Sequence, residues 1–138
     1  MRVTPPNLGW WLTSHVRALA AAEGLDVDVD ESEPDDLELP LARPLIVIRD
    51  DSGPRLDWST FDRSVGVSVL GGSKTYPKPA RDLALWASAV LFDNAIADAA
   101  GSPIAVVVWD GCNGPYAVLE ELDVASMYLT AQYTVVGS

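Results

Sequence analysis

Apolar residues recur along this chain with two different periods. Across residues 8–23 they fall at Leu8, Leu12, Val16 and Leu19, one stripe of an amphipathic helix, with Asn7 after Pro5-Pro6 as its N-cap and Gly24 as its stop. From Leu25 the period drops to two. Leu25, Val27 and Val29 alternate with Asp26, Asp28 and Asp30, which predicts a short edge strand with one wet face. Residues 44–50 form a continuous apolar run that meets the turn cluster Asp51-Ser52-Gly53-Pro54, the mark of a central strand. A further strand over about 61–70 turns Phe61, Val65, Val67 and Val69 to one side until Gly71-Gly72 stops it. It pairs antiparallel with the preceding strand through the 51–60 connection.

Tyr76-Pro77-Lys78-Pro79 then opens a long helical segment that runs to Ala100, with Gly101 at its end. Its helical wheel has two apolar faces: Leu83, Trp86, Val90 and Ala97 project together, and Leu85, Ala89, Phe92 and Ile96 project roughly opposite. One sheet contact cannot cover both. Either the first helix packs on the second face or a neighbouring subunit does, which makes Leu85, Phe92 and Ile96 candidate interface residues. Residues 103–109 predict another buried strand, 111–115 a glycine-rich turn, and Glu120-Glu121 an acidic loop. Over residues 126–136, Met127, Leu129, Ala131, Tyr133 and Val135 alternate with Tyr128, Thr130, Gln132 and Thr134, the pattern of a long strand. The order αβββαββ predicts an α/β (α+β) fold: a mainly antiparallel or mixed sheet of about five strands with two helices packed on one side.

Length and charge narrow what such a fold can do. A chain of 138 residues buries roughly two thirds of its unfolded surface, enough for one core, so residues 1–138 are expected to form a single domain. Twenty acidic against nine basic side chains give a formal charge of -11, which repels phosphate backbones and anionic membranes. Nucleic-acid grip by a basic surface is not expected. No apolar run reaches membrane-spanning length and no leader pattern opens the chain, so a soluble protein is expected. Residues 23–38 hold nine carboxylates and no basic residue, with Pro34 inside and Pro40 just beyond. This segment is either a solvated loop that keeps the protein soluble or a deliberate source of negative potential.

Candidate chemistry is thin. Cys112 is the one cysteine and His15 the one histidine, which leaves neither a disulfide nor a Cys/His metal cluster. His15 projects near the middle of the first helix's apolar stripe, where a hydrogen-bonded core or interface histidine is the plain reading and a catalytic one the alternative. Trp10 lies on the other side of that helix, close to Arg17. No Gly-x-Ser-x-Gly elbow accompanies His15, and Cys112 reads as a small, inert loop cysteine. Asp50, Asp51 and Asp57 could bind a hard cation or form an acid/base pair. Arg49 and Arg55 interleave with them, however, and alternating charges beside a strand turn point to local salt bridges. Gly71-Gly72 lacks the spacing of a phosphate or dinucleotide loop, so no cofactor is implied.

Several segments together resemble a known family. They are the start Met1-Arg2-Val3-Thr4-Pro5-Pro6, the segment Ile46-Val47-Ile48-Arg49-Asp50-Asp51-Ser52-Gly53-Pro54-Arg55-Leu56-Asp57 and the strand Val65-Gly66-Val67-Ser68-Val69. The Ala/Leu-rich second helix, the turn Gly114-Pro115-Tyr116 and the final Tyr/Thr strand complete the set. In these the chain resembles the tail terminator proteins of long-tailed bacteriophages, in particular those infecting actinobacteria. The resemblance implies a subunit of a ring, hexameric, that closes the end of the completed tail tube, halts its polymerisation and offers a surface to neck proteins of the head. It implies residence at the head-proximal end of the tail in the virion, with assembly in the host cytoplasm. It implies no enzymatic activity and no specific DNA contact. Arg49, Asp51, Arg55 and Asp57 then become candidates for subunit or tube contacts, and Asp28, Asp30, Glu31 and Glu33 for charge lining a lumen or rim. The acidic 23–38 segment is the part that the resemblance does not cover. Other readings are a head-closure or different connector protein, a small cellular interaction module, or a carboxylate-dependent hydrolase centred on Asp50, Asp51 and Asp57.

Overall fold

The computed structural model describes residues 2–138, so Met1 of the opening motif lies outside the described residues. Two helices and a six-stranded mixed sheet make an α+β fold. In chain order the elements are α1 (Leu8–Ala22), β1 (Asp28–Asp30), β2 (Leu45–Asp50), β3 (Thr60–Gly71), α2 (Lys78–Leu91), β4 (Ile104–Val107), β5 (Asn113–Val118) and β6 (Ala125–Val136), with 3-10 turns at Asn94–Asp98 and Trp109–Gly111. The sheet runs β1-β2-β3-β6-β4, and β5 also pairs with β6, beyond the stretch that β4 occupies. Only the β1–β2 pair is parallel. The long β3–β6 ladder, matched from Thr60 opposite Val136 to Gly71 opposite Ala125, is its spine.

Local chemistry accounts for the first helix. The Asn7 side chain accepts from the Trp10 amide, and at the other end Gly24, at φ 74°, lets the Gly24 and Leu25 amides reach back to the Ala21 and Ala20 carbonyls. That pair of bonds satisfies carbonyls which a straight helix end leaves open. Leu8, Leu12, Val16 and Ala20 go under, while Trp10 and Arg17 stay outside. α1 covers β1 and β2, α2 covers β3 and β6, and both feed one core with Ile46, Ile48, Val65, Val67, Val69, Leu129 and Tyr133. Each fully buried valine or leucine in that core contributes about 1.5–3 kcal/mol. A smaller cluster, Leu45, Val47, Leu70 and Val124, sits on the opposite side of the sheet under Leu37, Leu39 and Leu41.

Three expectations are corrected. The second helix stops at Leu91, because Asp93 is extended and its carboxylate caps a separate 3-10 turn by accepting from the Ala95 amide. That break returns Ile96 to the core and half-buries Phe92 against it, so the face opposite the sheet keeps only Leu85, 53% exposed, and the small Ala89. Ile96 is therefore not an exposed interface residue. The predicted 111–115 turn is instead a 3-10 turn running into a strand, β5, which supplies the sheet's sixth strand. Lastly, β1 holds only residues 28–30, and β4 is buried only at its ends, with Val106 exposed.

Candidate interaction surface

The side of the sheet away from the helices is largely polar, and the residues singled out in the 46–57 motif lie on or beside it. Arg49, on β2, lies opposite Gly66 on β3, and Ser68, two residues along, lies opposite Tyr128 on β6. Across this surface the Arg49 Nε donates to Asp51 Oδ1 at 2.8 Å and its Nη2 to the Tyr128 hydroxyl at 2.9 Å. The Asp51 bond, assisted by the Tyr128 hydroxyl, raises the Arg49 pKa above its already high ordinary value. Gly66 makes this possible. A Cβ there would stand 2.2 Å from the Tyr128 hydroxyl and 2.7 Å from Arg49 Nη2. Tyr116, from β5, packs edge-on against Tyr128 with ring centres 5.8 Å apart, which carries the surface to the sheet's margin. Further along β6, Gln132 Nε2 donates to Asp62 Oδ1 at 2.8 Å.

The remaining charged residues of the motif hold the 51–60 hairpin together. Asp50 Oδ1 accepts from the Ser52 amide, which steadies Ser52 at φ 70°. Asp57 Oδ1 accepts from the Ser59 and Thr60 amides and from the Thr60 hydroxyl. The Thr60 hydroxyl first, then these amides, hold its carboxyl below the usual carboxylate range. Arg55 donates to the Asp57 and Trp58 carbonyls. Arg63, nearly buried, donates to the Gly53 and Asp62 carbonyls and lies over the Phe61 ring, 5.3 Å from its centre. Asp50, Asp51 and Asp57 are thus each engaged locally. Among the described residues no group of three or more histidine, cysteine or acidic side chains is placed to hold a metal ion.

His15 is half-buried and stacks on Trp11, ring centres 4.7 Å apart and planes 11° from parallel. It lines a hollow of about 380 Å³ with Trp86, Asp93 and Ile96 between the two helices, and burial lowers its pKa. The Cys112 thiol donates to the Val108 carbonyl at 3.5 Å. The acidic candidates divide into two kinds. Asp28 pairs with Arg43 and Asp30 with Arg17, both bases from outside the segment, whereas Glu31 and Glu33 are exposed and in no ion pair among the described residues.

Tyr128, Tyr116 and Gly66 are the surface residues that the sequence did not single out as site candidates, although each lies in a segment quoted above. Tyr128 did stand on the wet side of an alternating strand, but it is 79 positions from the arginine that it meets. No protein-family model matches this chain, and no curated protein matches it either.

Proposed function

We infer that this chain is a structural subunit of a virus particle, of the tail terminator type that its sequence resembles. Copies of it join into a ring, hexameric as in that family, on the head-proximal end of the finished tail tube. The ring stops further addition of tube subunits and offers its far side to a neck protein, while DNA passes through without specific contact.

One observation carries this reading. The motif's charged residues are consumed inside the chain, while the β4–β5 margin of the sheet exposes a run of large apolar side chains, Trp109, Tyr116, Val118 and Leu119 among them. Exposed apolar area of that kind marks a surface that meets another protein. The Arg49–Asp51–Tyr128 cluster supplies a rigid polar patch beside it, suited to fixing the register of a contact. Glu31 and Glu33 then supply negative potential at the rim or lumen.

Electron microscopy of the purified protein mixed with tail tubes tests the proposal. A cap at one end of each tube, with tubes no longer growing from that end, is the expected result. Binding only to the head portal would replace the terminator reading by that of a head-closure connector. Metal-dependent hydrolysis of phosphoesters, lost in Asp51→Asn, would overturn both.

A further inference from the structure

The gap between α1 and α2 is not filled by the core. It leaves a hollow of about 380 Å³, lined by the buried Ile96, the half-buried Leu19 and Val90, and the exposed Glu23, Ala89 and Asp93. Two rings complete the lining. The Trp86 indole is tied across the gap, where it donates to Glu23 Oε1 at 3.4 Å, and His15 is braced by its stack on Trp11.

The hollow is negative and has no counter-charge of its own. Glu23 and Asp93 line it, no lysine or arginine does, and neither carboxylate is in an ion pair among the described residues. Asp93 uses Oδ1 on the Ala95 amide, which leaves its second oxygen to a ligand. His15 adds no positive charge, since burial lowers its pKa and keeps the ring neutral at neutral pH. Trp86 also lines a second hollow, of about 290 Å³, whose carboxylates Asp26 and Asp82 are already answered by Arg43 and Lys78. The fold supplies cations to one hollow and none to the other.

The occupant that matches is a cation on an apolar stem. A methylene stem suits Leu19, Val90 and Ile96, a charged head suits the two carboxylates, and an aromatic ring attracts a cation within about 6 Å of its centre. A guanidinium does this best, because its plane can stack on a ring while its N–H groups donate to a carboxylate. The hollow is open on one side, whereas sites for free small molecules enclose roughly 70–90% of the ligand's surface. A side chain held in place by its own protein needs no such enclosure. A second copy of this chain is a poor source, since Arg17, Arg43, Arg49, Arg55 and Arg63 are each engaged within their own copy, Arg2 and Arg81 aside.

We propose that the hollow between α1 and α2 binds an arginine side chain of a different protein, its guanidinium meeting Glu23, Asp93 and the Trp86 ring. The site lies on the helical side of the sheet, away from the Arg49–Tyr128 surface, so it goes beyond the function proposed above and does not depend on it.

NMR of the indole and imidazole signals of the full chain, titrated with N-acetyl-arginine amide at neutral pH and low salt, is the test, with Trp86→Phe to assign the Trp86 indole. The Trp86 and His15 signals should shift saturably, and N-acetyl-glutamine amide should move neither. Glu23→Gln/Asp93→Asn should bind the arginine at least tenfold more weakly. That variant keeps an oxygen to cap the 3-10 turn, and circular dichroism checks its fold. Ala89→Phe, at an exposed position of the lining, fills the hollow and should abolish the shifts with both carboxylates still in place. No shift in wild type, equal binding by the charge variant, or an equal response to the glutamine amide would each overturn the site. Shifts with agmatine but not with the blocked arginine would overturn the partner in favour of a free amine. Shifts on concentrating the protein alone, absent from the charge variant, would overturn it in favour of a second copy.

Discussion

The Tyr133 hydroxyl donates a 2.6 Å hydrogen bond to the Leu91 carbonyl, joining the last strand to the last residue of α2 through the core. The next carbonyl, that of Phe92, accepts from the Trp109 indole at 2.9 Å. A helix end has carbonyls with no partner of their own, and here two side chains from the C-terminal half of the chain supply them. Tyr133→Phe leaves the Leu91 carbonyl without this donor in a buried place and should cost about 1–3 kcal/mol, read from denaturant melts.

Burial also raises the Tyr133 pKa far above its ordinary value. The folded state therefore holds that proton more tightly than the unfolded chain does. The stability linked to it is complete below about pH 10 and is lost as pH rises beyond that. Wild type should fall in stability more steeply than Tyr133→Phe at alkaline pH. Equal slopes for the two proteins would contradict the assignment.

Two glycines should respond to alanine in opposite ways. At Gly66 the added methyl meets the ends of the Tyr128, Arg49 and Asp51 side chains, which can swing into solvent. Gly66→Ala should stay folded within about 1 kcal/mol of wild type while displacing the Arg49–Tyr128 bond, visible as shifted Tyr128 ring resonances. At Gly72 the methyl would lie 2.2 Å from the Tyr76 carbonyl, at φ 62°. That backbone cannot swing away, so Gly72→Ala should cost more than about 2 kcal/mol in the same melts.

Which parts of this molecule were legible follows from the range of the interactions that fix them. α1, β3 and β6 announce themselves because burial on one face of a regular element repeats in sequence, as with Met127, Leu129, Ala131, Tyr133 and Val135, and β2 because its run Leu45–Ile48 is apolar throughout, being buried on both faces of the sheet. The end of α2 did not, since the apolar run continues through Phe92 and Ile96. What ends the helix is one capping carboxylate at Asp93, reinforced by Tyr133 and Trp109 from far along the chain. β5 was hidden by Gly114-Pro115, a pair that reads as a turn, and it is a strand only because β6 offers it a partner. The 46–57 motif was visible, and the local pairing of Arg49 with Asp51 followed from its alternating charges. Its partner Tyr128 did not, because side chains meeting over a glycine of an intervening strand have no signature in one sequence.

Asp51→Asn removes a pair whose side chains are both substantially exposed. Such pairs contribute at most about 1 kcal/mol, so the variant should melt close to wild type, and the small difference should vanish in about 1 M salt, where screening acts over roughly 3 Å. A loss of several kcal/mol would mean that Asp51 supports more than the arginine beside it.

Asp57 should set part of the acid sensitivity of the 51–60 hairpin. Its carboxyl is held below the usual range, first by the Thr60 hydroxyl and then by the Ser59 and Thr60 amides. The folded state thus releases this proton more readily than the unfolded chain does. The resulting stability is present above about pH 4 and is lost as pH falls through the folded-state value. Asp57→Asn still offers an oxygen to the turn but no longer titrates, so its stability should change less than wild type's below about pH 4. Parallel acid curves for the two would show that the hairpin does not depend on this charge.

The acidic residues proposed to line the lumen of a ring differ in what they touch. Asp28 and Asp30 are paired with Arg43 and Arg17, so their neutralisation should show as a small loss of stability, of the order of 1 kcal/mol or less. Glu31 and Glu33 are exposed and in no ion pair among the described residues, so nothing in the fold should notice their replacement. If they face the channel of an assembled ring, six copies repel DNA that comes within about 8 Å of them and keep it from adhering as it passes. Glu31→Gln/Glu33→Gln should therefore leave ring formation and tube capping intact and slow genome delivery from otherwise normal particles. An outward-facing loop would have no such effect. Delivery at the wild-type rate, or a ring structure with both residues on its outer wall, would assign these charges to solubility alone.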